Sequence, residues 1–479
     1  MREIKASKWE LAQQLLFCVT AASRPLRVEE LAEILAFDFK PGTIPKFHED
    51  WRLQNPVKAI LSACPTLLSV VDVKTDRETS RVVQFAHFTV KEFLTSSRVA
   101  KKKDKFSHRY HISMSAAHTF VTRACLGVLL HLDKTITSQN LSEFPLTEYA
   151  AENWFEHARF EGVSQHVVEG MKQLFDRTKP HLSIWLWIHD PTVPSWKRRE
   201  RAEEPSPPSG TPLHYAAFCG LQDIAENLAI EHPEDVNSQS IDDGSSPLHL
   251  ASRRRHIDIV RMLIDRGADV SAQNKFGSTA LHLASRDGDI ELARILIDRG
   301  ADMSAQDKFR STALHLACRD GHLDLGRMLI DCRADMSAQD KHGSTALHLA
   351  SKNGHVDIVR MLIARGADVS ARNRYGWTTL HSASENGNVD IGRMLIERGA
   401  DVSAEDEYRS TALHLASKNG HIALARMLIE HGADVSAQNE YEWTALHLAS
   451  ENGHVDLARM LEGSTGPALH AAQQITTKT

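Results

Sequence analysis

Cysteine is sparse: the six residues, at positions 18, 64, 125, 219, 318 and 332 of 479, include no Cys-x-x-Cys pair. That excludes a zinc ribbon and a disulfide framework, and leaves reduced core thiols as the expectation. Long apolar runs are missing too. The longest, such as Leu182 to Ile188, fall far short of the ~20 residues a membrane-spanning helix needs. Glu10, Gln13 and Gln14 interrupt the segment Met1 to Val19, which reads as an amphipathic helix rather than a targeting peptide. No excess of basic charge exists: 56 Lys and Arg against 62 Asp and Glu give −6, so there is no global field to hold DNA or an anionic bilayer. The dipeptide Gly-Lys does not occur, which rules out a Gly-x-x-x-x-Gly-Lys-Ser/Thr phosphate loop. His48-Glu49 lacks the second His of a His-Glu-x-x-His site, and Gly463-Ser464-Thr465-Gly466 lacks the Gly-x-Ser-x-Gly spacing. His108 and His111 share no helix face with a suitably spaced carboxylate and read as surface residues. No enzyme, cofactor or metal site is expected.

What is present is an ordinary globular balance, 25% charged and 42% apolar, over a length that suggests about three domains at ~150 residues each. Self-similarity then decides the architecture. Ser246-Pro247-Leu248-His249 returns at Thr279, Thr312, Thr345, Thr378, Thr411 and Thr444, each step being 33 residues. An earlier copy begins at Thr211, and a degraded one ends at Leu469-His470. Within one copy, Thr279 to Ser285 predicts a short helix with a hydroxyl N-cap. Ile290 to Asp298 predicts a second helix, stopped by Gly300. The Thr-x-Leu-His…Gly-Ala-Asp pattern resembles the ankyrin repeat from Gly210 to about Ala472. The resemblance implies stacked helix pairs with finger-like hairpins, binding other proteins. Leu281, Leu283, Ala284, Ile295, Leu296 and their copies are the expected core, because one helix pair cannot bury its apolar face alone. The column of His214, His249, His282, His315, His348, His381, His414 and His447 is read as tying each finger to its helix start. Stacked helices about 8 to 10 Å apart cannot bring two such rings onto one metal with bonds of ~2 Å. After Leu461, Glu462 to Gly466 is expected to replace the end of the last helix.

Positions where copies differ mark candidate contacts with a protein ligand of unknown identity. The first finger column runs Asp242, Lys275, Lys308, Lys341, Arg374, Glu407, Glu440, and the inner-helix column Arg253, Arg286, Arg319, Lys352, Glu385, Lys418, Glu451. Both are mainly basic through the fifth unit and turn acidic or mixed beyond it, which predicts a bipolar groove that sets partner orientation. Beside them stand Phe276, Phe309, His342, Tyr375, Tyr408 and Tyr441, with Trp377 and Trp443 where other copies have Ser. Exposed aromatics are hot-spot candidates; the alternative is that finger rings pack on one another. The pairs Asp258/Arg261, Glu291/Arg294, Asp324/Arg327, Asp357/Arg360 and Asp390/Arg393 are assigned to helix-surface pairing. Arg310, Arg409 and Glu442 replace Gly277, Gly343 and Gly376 and bear roughly 1 kcal/mol of strain if the position needs positive φ.

Residues 191–209, with Pro205, Pro207 and Pro208 near Lys197 to Arg201, read as a linker. Before it, helices are expected over Trp9 to Val19, Val28 to Ala36 and Pro56 to Ala63. Strands Leu67 to Val73 and Arg81 to Phe85 and a closing helix Phe88 to Ser96 complete a winged helix (residues 1–105), followed by a helical region (106–190). Ser23-Arg24-Pro25-Leu26-Arg27-Val28-Glu29-Glu30-Leu31 and Phe85-Ala86-His87-Phe88-Thr89-Val90-Lys91-Glu92-Phe93-Leu94 resemble the winged-helix region that follows the NACHT module in fungal NLR-like STAND proteins. Pro145 to Ala158 resembles their next helical stretch. The NACHT module itself is missing, so the chain is a fragment, has lost it, or works beside a NACHT-bearing partner. In the resemblance, His87 takes the place of a His that senses nucleotide phosphate, whereas a structural role is the plainer reading of an imidazole there.

The fold class is thus mainly α: an ankyrin-repeat solenoid preceded by a winged-helix and helical module. The expected function is a non-catalytic scaffold or sensor fragment, cytoplasmic with the nucleus as alternative, that binds protein in the groove of residues 210–472. Two other readings stay open: a winged-helix DNA-binding factor and a subunit of a split STAND NTPase. Nucleic acid is disfavoured as a partner, because the short run Lys101 to Lys105 supplies few phosphate contacts.

Overall fold

The computed structural model describes residues 8–40, 42–74, 79–96, 111–193 and 202–464. Lys101 to Lys105, His108, Lys197 to Arg201 and the degraded copy at Leu469-His470 lie outside them. The chain divides into two compact bodies, one comprising residues up to Asp242 with Ser246–Ala268, the other Asp243–Ser245 with the residues from Asp269 on.

The first body opens with α1 (Trp9–Ala21), β1 (Leu26–Arg27), α2 (Val28–Ile34), a ribbon of β2 (Phe37–Asp38) and β3 (Lys46–Phe47), α3 (Pro56–Ala63), β4 (Leu68–Lys74), β5 (Thr79–Phe85) and α4 (Phe88–Thr95). β4 and β5 form the expected antiparallel wing, in register from Leu68 opposite Phe85 to Lys74 opposite Thr79. A third strand joins them, giving the order β1-β5-β4 with Leu26 opposite Val83. Two residues are too few to show an alternating pattern, so β1 and the β2–β3 ribbon carried no periodic signal. Leu15, Leu16, Leu26, Leu31, Ile34, Ile60 and Leu94 form a core with at most 2% exposure. Glu30, wholly buried, accepts from the Arg27 N–H at 2.7 Å and pairs with Arg24 at 2.7 Å. Burial pushes its carboxyl upward, but the bonds from Arg24 and Arg27 outweigh that and hold it below the usual carboxylate range.

Among the described residues four α-helices follow: α5 (Met114–His131), α6 (Thr147–Ala158), α7 (Ser164–Phe175) and α8 (His181–Ile188). Trp154 and Trp185 meet edge to face at 5.2 Å in their core, and the Trp185 indole donates to the Ala151 carbonyl at 2.9 Å. Glu33 of α2 accepts from the Leu146 N–H at the start of α6, at 2.5 Å. Burial pushes its carboxyl up to about 7 against that bond and the attraction of Arg52. Part of the expected linker is tied down: Ser138 N–H donates to Glu203 O at 3.1 Å, and the Trp187 indole to Ala202 O at 2.9 Å. Two helix pairs, Pro212–Cys219 with Gln222–Glu231 and Pro247–Arg253 with Ile257–Asp265, complete this body.

Among the described residues the second body holds six further pairs, whose first helices are Ala280–Asp287, Ala313–Asp320, Ala346–Asn353, Thr379–Glu385, Ala412–Lys418 and Ala445–Glu451. Each starts in a reciprocal cap: the Thr hydroxyl faces the His backbone three residues on, while that His accepts the Thr N–H at Nδ1. At the other end of the first of these helices, Gly288 stops it at φ +72°, where a Cβ would sit 2.5 Å from the His322 ring. Leu281, Leu283, Ala284, Ile295 and Leu296 are buried, as their spacing predicts. The last helix, Val455–Ser464, corrects one expectation: it runs through Glu462, Gly463 and Ser464 instead of breaking at Leu461. Another correction concerns the thiols. Five are buried, but Cys332 caps the end of Leu323–Asp331 and is partly exposed. Among the described residues, no helix is long and apolar enough to cross a membrane.

Candidate binding groove

The finger loops are rigid by construction. Asn274, Asp307, Asp340, Asn373, Asp406 and Asn439 each sit at a finger base. There Oδ1 accepts backbone N–H groups two and four residues ahead, at 2.9 and 3.1 Å for Asn274. Neighbouring fingers are stitched by one backbone bond per step: Lys308 N–H to Phe276 O, Lys341 to Phe309, Arg374 to His342, Glu407 to Tyr375 and Glu440 to Tyr408, at 2.7 to 3.0 Å. The recurring His ties finger to helix as expected. Nε2 of His282, His315, His348, His381 and His414 donates to the carbonyl of Ser311, Ser344, Trp377, Ser410 and Trp443 in the next finger. With Nδ1 accepting, both ring nitrogens are occupied. Burial holds all five imidazoles below their usual range, against the pull of those carbonyl bonds.

A second His column escaped the sequence reading. His322, His355, His421 and His454 precede the outer helices and donate to Arg286, Arg319, Glu385 and Lys418 carbonyls of the preceding copy, at 2.9 to 3.1 Å. The Gly-His step that recurs before four of these helices was its only signal.

On this frame lies a cavity of about 970 Å³. It takes in Lys352, Tyr375, Trp377, Tyr408, Lys418, Tyr441 and Trp443 of the sequence-predicted set. Lys275, Phe276, Arg286, Lys308, Phe309, Arg319, Lys341, Arg374, Glu385, Glu407, Glu440 and Glu451 do not line it. Several of the predicted residues have partners within the array. Lys308 lies over the Phe276 ring at 4.4 Å and Lys341 over Phe309 at 4.2 Å, so these rings already have cations upon them. Arg286 pairs with Asp287 at 3.1 Å, Arg319 with Asp320 at 2.8 Å and Lys352 with Glu385 at 3.1 Å. The two charge columns are therefore partly self-neutralised. Ring-on-ring packing between fingers occurs at His342 and Tyr375, 6.0 Å apart with the Tyr hydroxyl 3.1 Å from Nδ1.

The cavity wall is aromatic. Tyr375, Tyr408 and Tyr441 project from successive fingers, 45 to 63% exposed. The Trp377 indole donates to Asp406 Oδ2 at 3.1 Å, which fixes its plane. The floor corrects an expectation: Leu349, Leu415 and Leu448, copies of Leu283 expected in the core, are only partly buried and line the cavity with Ser382, one residue per inner helix. Aligning the copies shows Leu283, Leu316, Leu349, Leu415 and Leu448 at this position and Ser382 as the exception. That was the available signal.

Elsewhere, Arg310, Arg409 and Glu442 have φ of 56°, 57° and 63°, beside 70° to 76° for Gly277, Gly343 and Gly376, so the expected strain is present. Asp324 and Arg327 approach to 3.8 Å on the outer surface. His87 caps α4: its Nδ1 accepts the Thr89 N–H at 3.3 Å and lies 2.8 Å from the Thr89 hydroxyl, while its ring stacks on Phe88.

Comparison with known proteins agrees with this architecture. Residues 213–406 match, in four overlapping stretches, a family model described as ankyrin repeats (3 copies), and 413–462 one described as ankyrin repeats (many copies). Residues 2–107 match the winged helix domain of GPI inositol-deacylase. The chain is 29% identical over 266 residues to azaphilone pigments biosynthesis cluster protein L of Monascus ruber, covering 53% of this chain and 54% of that protein. It is 44% identical over 62 residues to alpha-latrocrustotoxin-Lt1a of Latrodectus tredecimguttatus, 13% of this chain and 4% of the toxin. The chain thus spans about half the length of the first relative and little of the second.

Proposed function

We propose, from the premise that an ankyrin-repeat array follows a winged-helix domain in this chain, that the array is a non-catalytic docking module that holds an extended segment of a protein partner. The observation that carries this reading is the 970 Å³ cavity with aromatic walls over a leucine floor. Hot-spot residues in well-packed pockets dominate protein binding, and Tyr and Trp are foremost among them. A specific complex buries about 1,200 to 2,000 Å² in total, an area that several fingers and inner helices supply together. The winged-helix and helical module acts as the regulatory part of a cytoplasmic scaffold. Its kinship with NLR-like sensors rests on the sequence from Ser23 to Leu31 and from Phe85 to Leu94. The test compares partners captured by the full chain with those captured by a variant carrying Tyr375→Ala, Trp377→Ala and Tyr408→Ala. Partners lost from the variant, with helical content intact, support the reading; an unchanged set removes it.

A further inference from the structure

The fingers carry a repeating seat for a cation, and the chain fills it in only some of its copies. Lys308 Nζ lies over two rings at once, 4.4 Å from the centre of Phe276 and 5.3 Å from that of Phe309, so one ammonium serves two successive fingers. Lys341 lies over Phe309 at 4.2 Å. The backbone sets this geometry. In both cases the residue whose side chain covers the ring also donates its N–H to the carbonyl of the ring-bearing residue, at 2.8 and 2.7 Å. The negative face of the ring then holds the ammonium.

Further along the array the same backbone bonds join Glu407 to Tyr375 and Glu440 to Tyr408, at 3.0 and 2.9 Å. The rings remain, but the residue stitched to each is now an acid, and a ring face that attracts an ammonium repels a carboxylate. Glu407 and Glu440 are exposed and have no ion-pair partner among the described residues. The Glu440 carboxylate opposes ionisation of the Tyr441 hydroxyl, raising its pKa, and so lies beside that ring. Residues 405–410 and 438–443, the two fingers concerned, hold Glu405, Asp406, Glu407, Glu440 and Glu442 against Arg409 alone, and Arg409 is paired with Glu405 at 3.6 Å. The Lys residues that line the cavity, Lys352 and Lys418, stand on inner helices instead, and Lys352 is paired with Glu385 at 3.1 Å.

We propose that the groove takes an extended basic peptide whose Lys or Arg side chains occupy the two seats the chain leaves empty, one between Tyr375 and Tyr408 beside Glu407, the other between Tyr408 and Tyr441 beside Glu440. This rests on the groove being the docking site, and it adds the chemistry of the occupant. Ring face and carboxylate act on the same charge, the first by cation–π attraction and the second by a charge-assisted hydrogen bond. Tyr375, Tyr408 and Tyr441 are 45 to 63% exposed, so their faces are within a partner's reach. Successive copies stack at about 8 to 10 Å and an extended chain advances about 3.3 Å per residue, which places the two basic residues three apart. Lys308 and Lys341 already hold the seats at Phe276 and Phe309 and repel a second cation, so the peptide is confined to the later copies.

The experiment is selection of a random 12-residue peptide library on the full-length chain, followed by titration of one selected peptide by fluorescence anisotropy against the wild type and two variants. Glu407→Lys combined with Glu440→Lys gives both seats the residue that sister copies already carry as Lys308 and Lys341. Tyr408→Leu keeps apolar bulk and removes the ring the two seats share. Melting of both variants should match the wild type. The expected result is an enriched base-x-x-base pattern, with binding at least about tenfold weaker in the first variant and about threefold weaker in the second. Selected peptides that lack the pattern, or bind either variant unchanged, yet are lost with Tyr375→Ala, Trp377→Ala and Tyr408→Ala, overturn this proposal and leave the groove standing. No enrichment at all, or enrichment indifferent to the three aromatic changes, overturns both.

Discussion

Replacing Arg333 by glycine should stabilise the array. Arg333 follows the helix Leu323–Asp331 at φ +70°, in the position that Gly300, Gly366, Gly399 and Gly432 occupy in sister copies at 85° to 92°. A Cβ built at any of those four glycines meets nothing within 4 Å, so the cost at Arg333 is purely one of backbone conformation. Holding an L-residue left-handed costs about 1 to 2 kcal/mol. Glycine returns about 0.5 to 1 kcal/mol of that through the greater freedom of its unfolded chain. A net gain of about 0.75 kcal/mol remains at the midpoints of these ranges. Arg333 makes no ion pair among the described residues that would offset it, and its N–H bond to Ile330 O at 2.8 Å belongs to the backbone and is kept. Urea unfolding of the full chain should show a higher midpoint at unchanged slope. Hydrogen exchange should place the gain in the copies flanking residue 333, since stability in a stack is shared between neighbours. Arg333→Ala is the control, because alanine keeps the strain. If alanine stabilises as much as glycine, the cost lay in the Arg side chain and the backbone argument is refuted.

The five buried imidazoles His282, His315, His348, His381 and His414 give the array an acid-sensitive stability. Their folded pKa values lie below the unfolded ~6.5, so the unfolded chain takes up protons first; stability is full above that pH and falls as pH drops below it, by up to about 1.4 kcal/mol per unit for each ring. Melting of the array should therefore decline from pH 7 to 5, and a flat profile would contradict the bonding scheme. Glu33 works in the opposite direction: its carboxyl is raised to about 7, so the folded state holds a proton the unfolded state releases, and stability is lost as pH climbs from about 4.5 to 7. Glu33→Gln keeps an acceptor for the Leu146 N–H and should stabilise the first body at pH 8 by roughly 1 to 3 kcal/mol, with no gain at pH 4.5; thermal denaturation at the two pH values decides. Thr345→Ala removes the hydroxyl that lies 2.9 Å from His348 Nδ1 and caps the helix, and should cost about 1 to 2 kcal/mol in urea unfolding.

The repeat frame was legible because its causes are local and recur. A Thr and a His three residues apart close their own cap, and apolar residues at helical spacing declare their own faces, so helix starts and core residues could be read from any one copy. Strands β4 and β5 were legible for the same reason. What escaped depends on partners distant in sequence. Leu26 and Arg27 form a strand only because Val83 and Val82 lie opposite. His322 acquires a role only from the Arg286 carbonyl, 36 residues back. The charge columns misled in part because residues were taken as free charges: Arg286 and Arg319 pair with Asp287 and Asp320 one residue along, and Lys352 pairs with Glu385 within the column itself.

Departures from the repeat are of two physical kinds, and the difference locates the groove. Arg310, Arg333, Arg409 and Glu442 break a backbone rule, so their cost falls on the helix ends and fingers that carry them and opens no space. Ser382 departs from a side-chain column instead, and is buried at 3% exposure beside the partly buried Leu349 and Leu415. The fingers reinforce the same asymmetry: Phe276 and Phe309 are covered by Lys308 and Lys341, whereas Tyr408 and Tyr441 have no cation over their rings among the described residues. Tyr408 and Tyr441, 49 and 63% exposed, stand beside the partly buried Leu415 and Leu448, and a partner that covers them gains burial the fold leaves available.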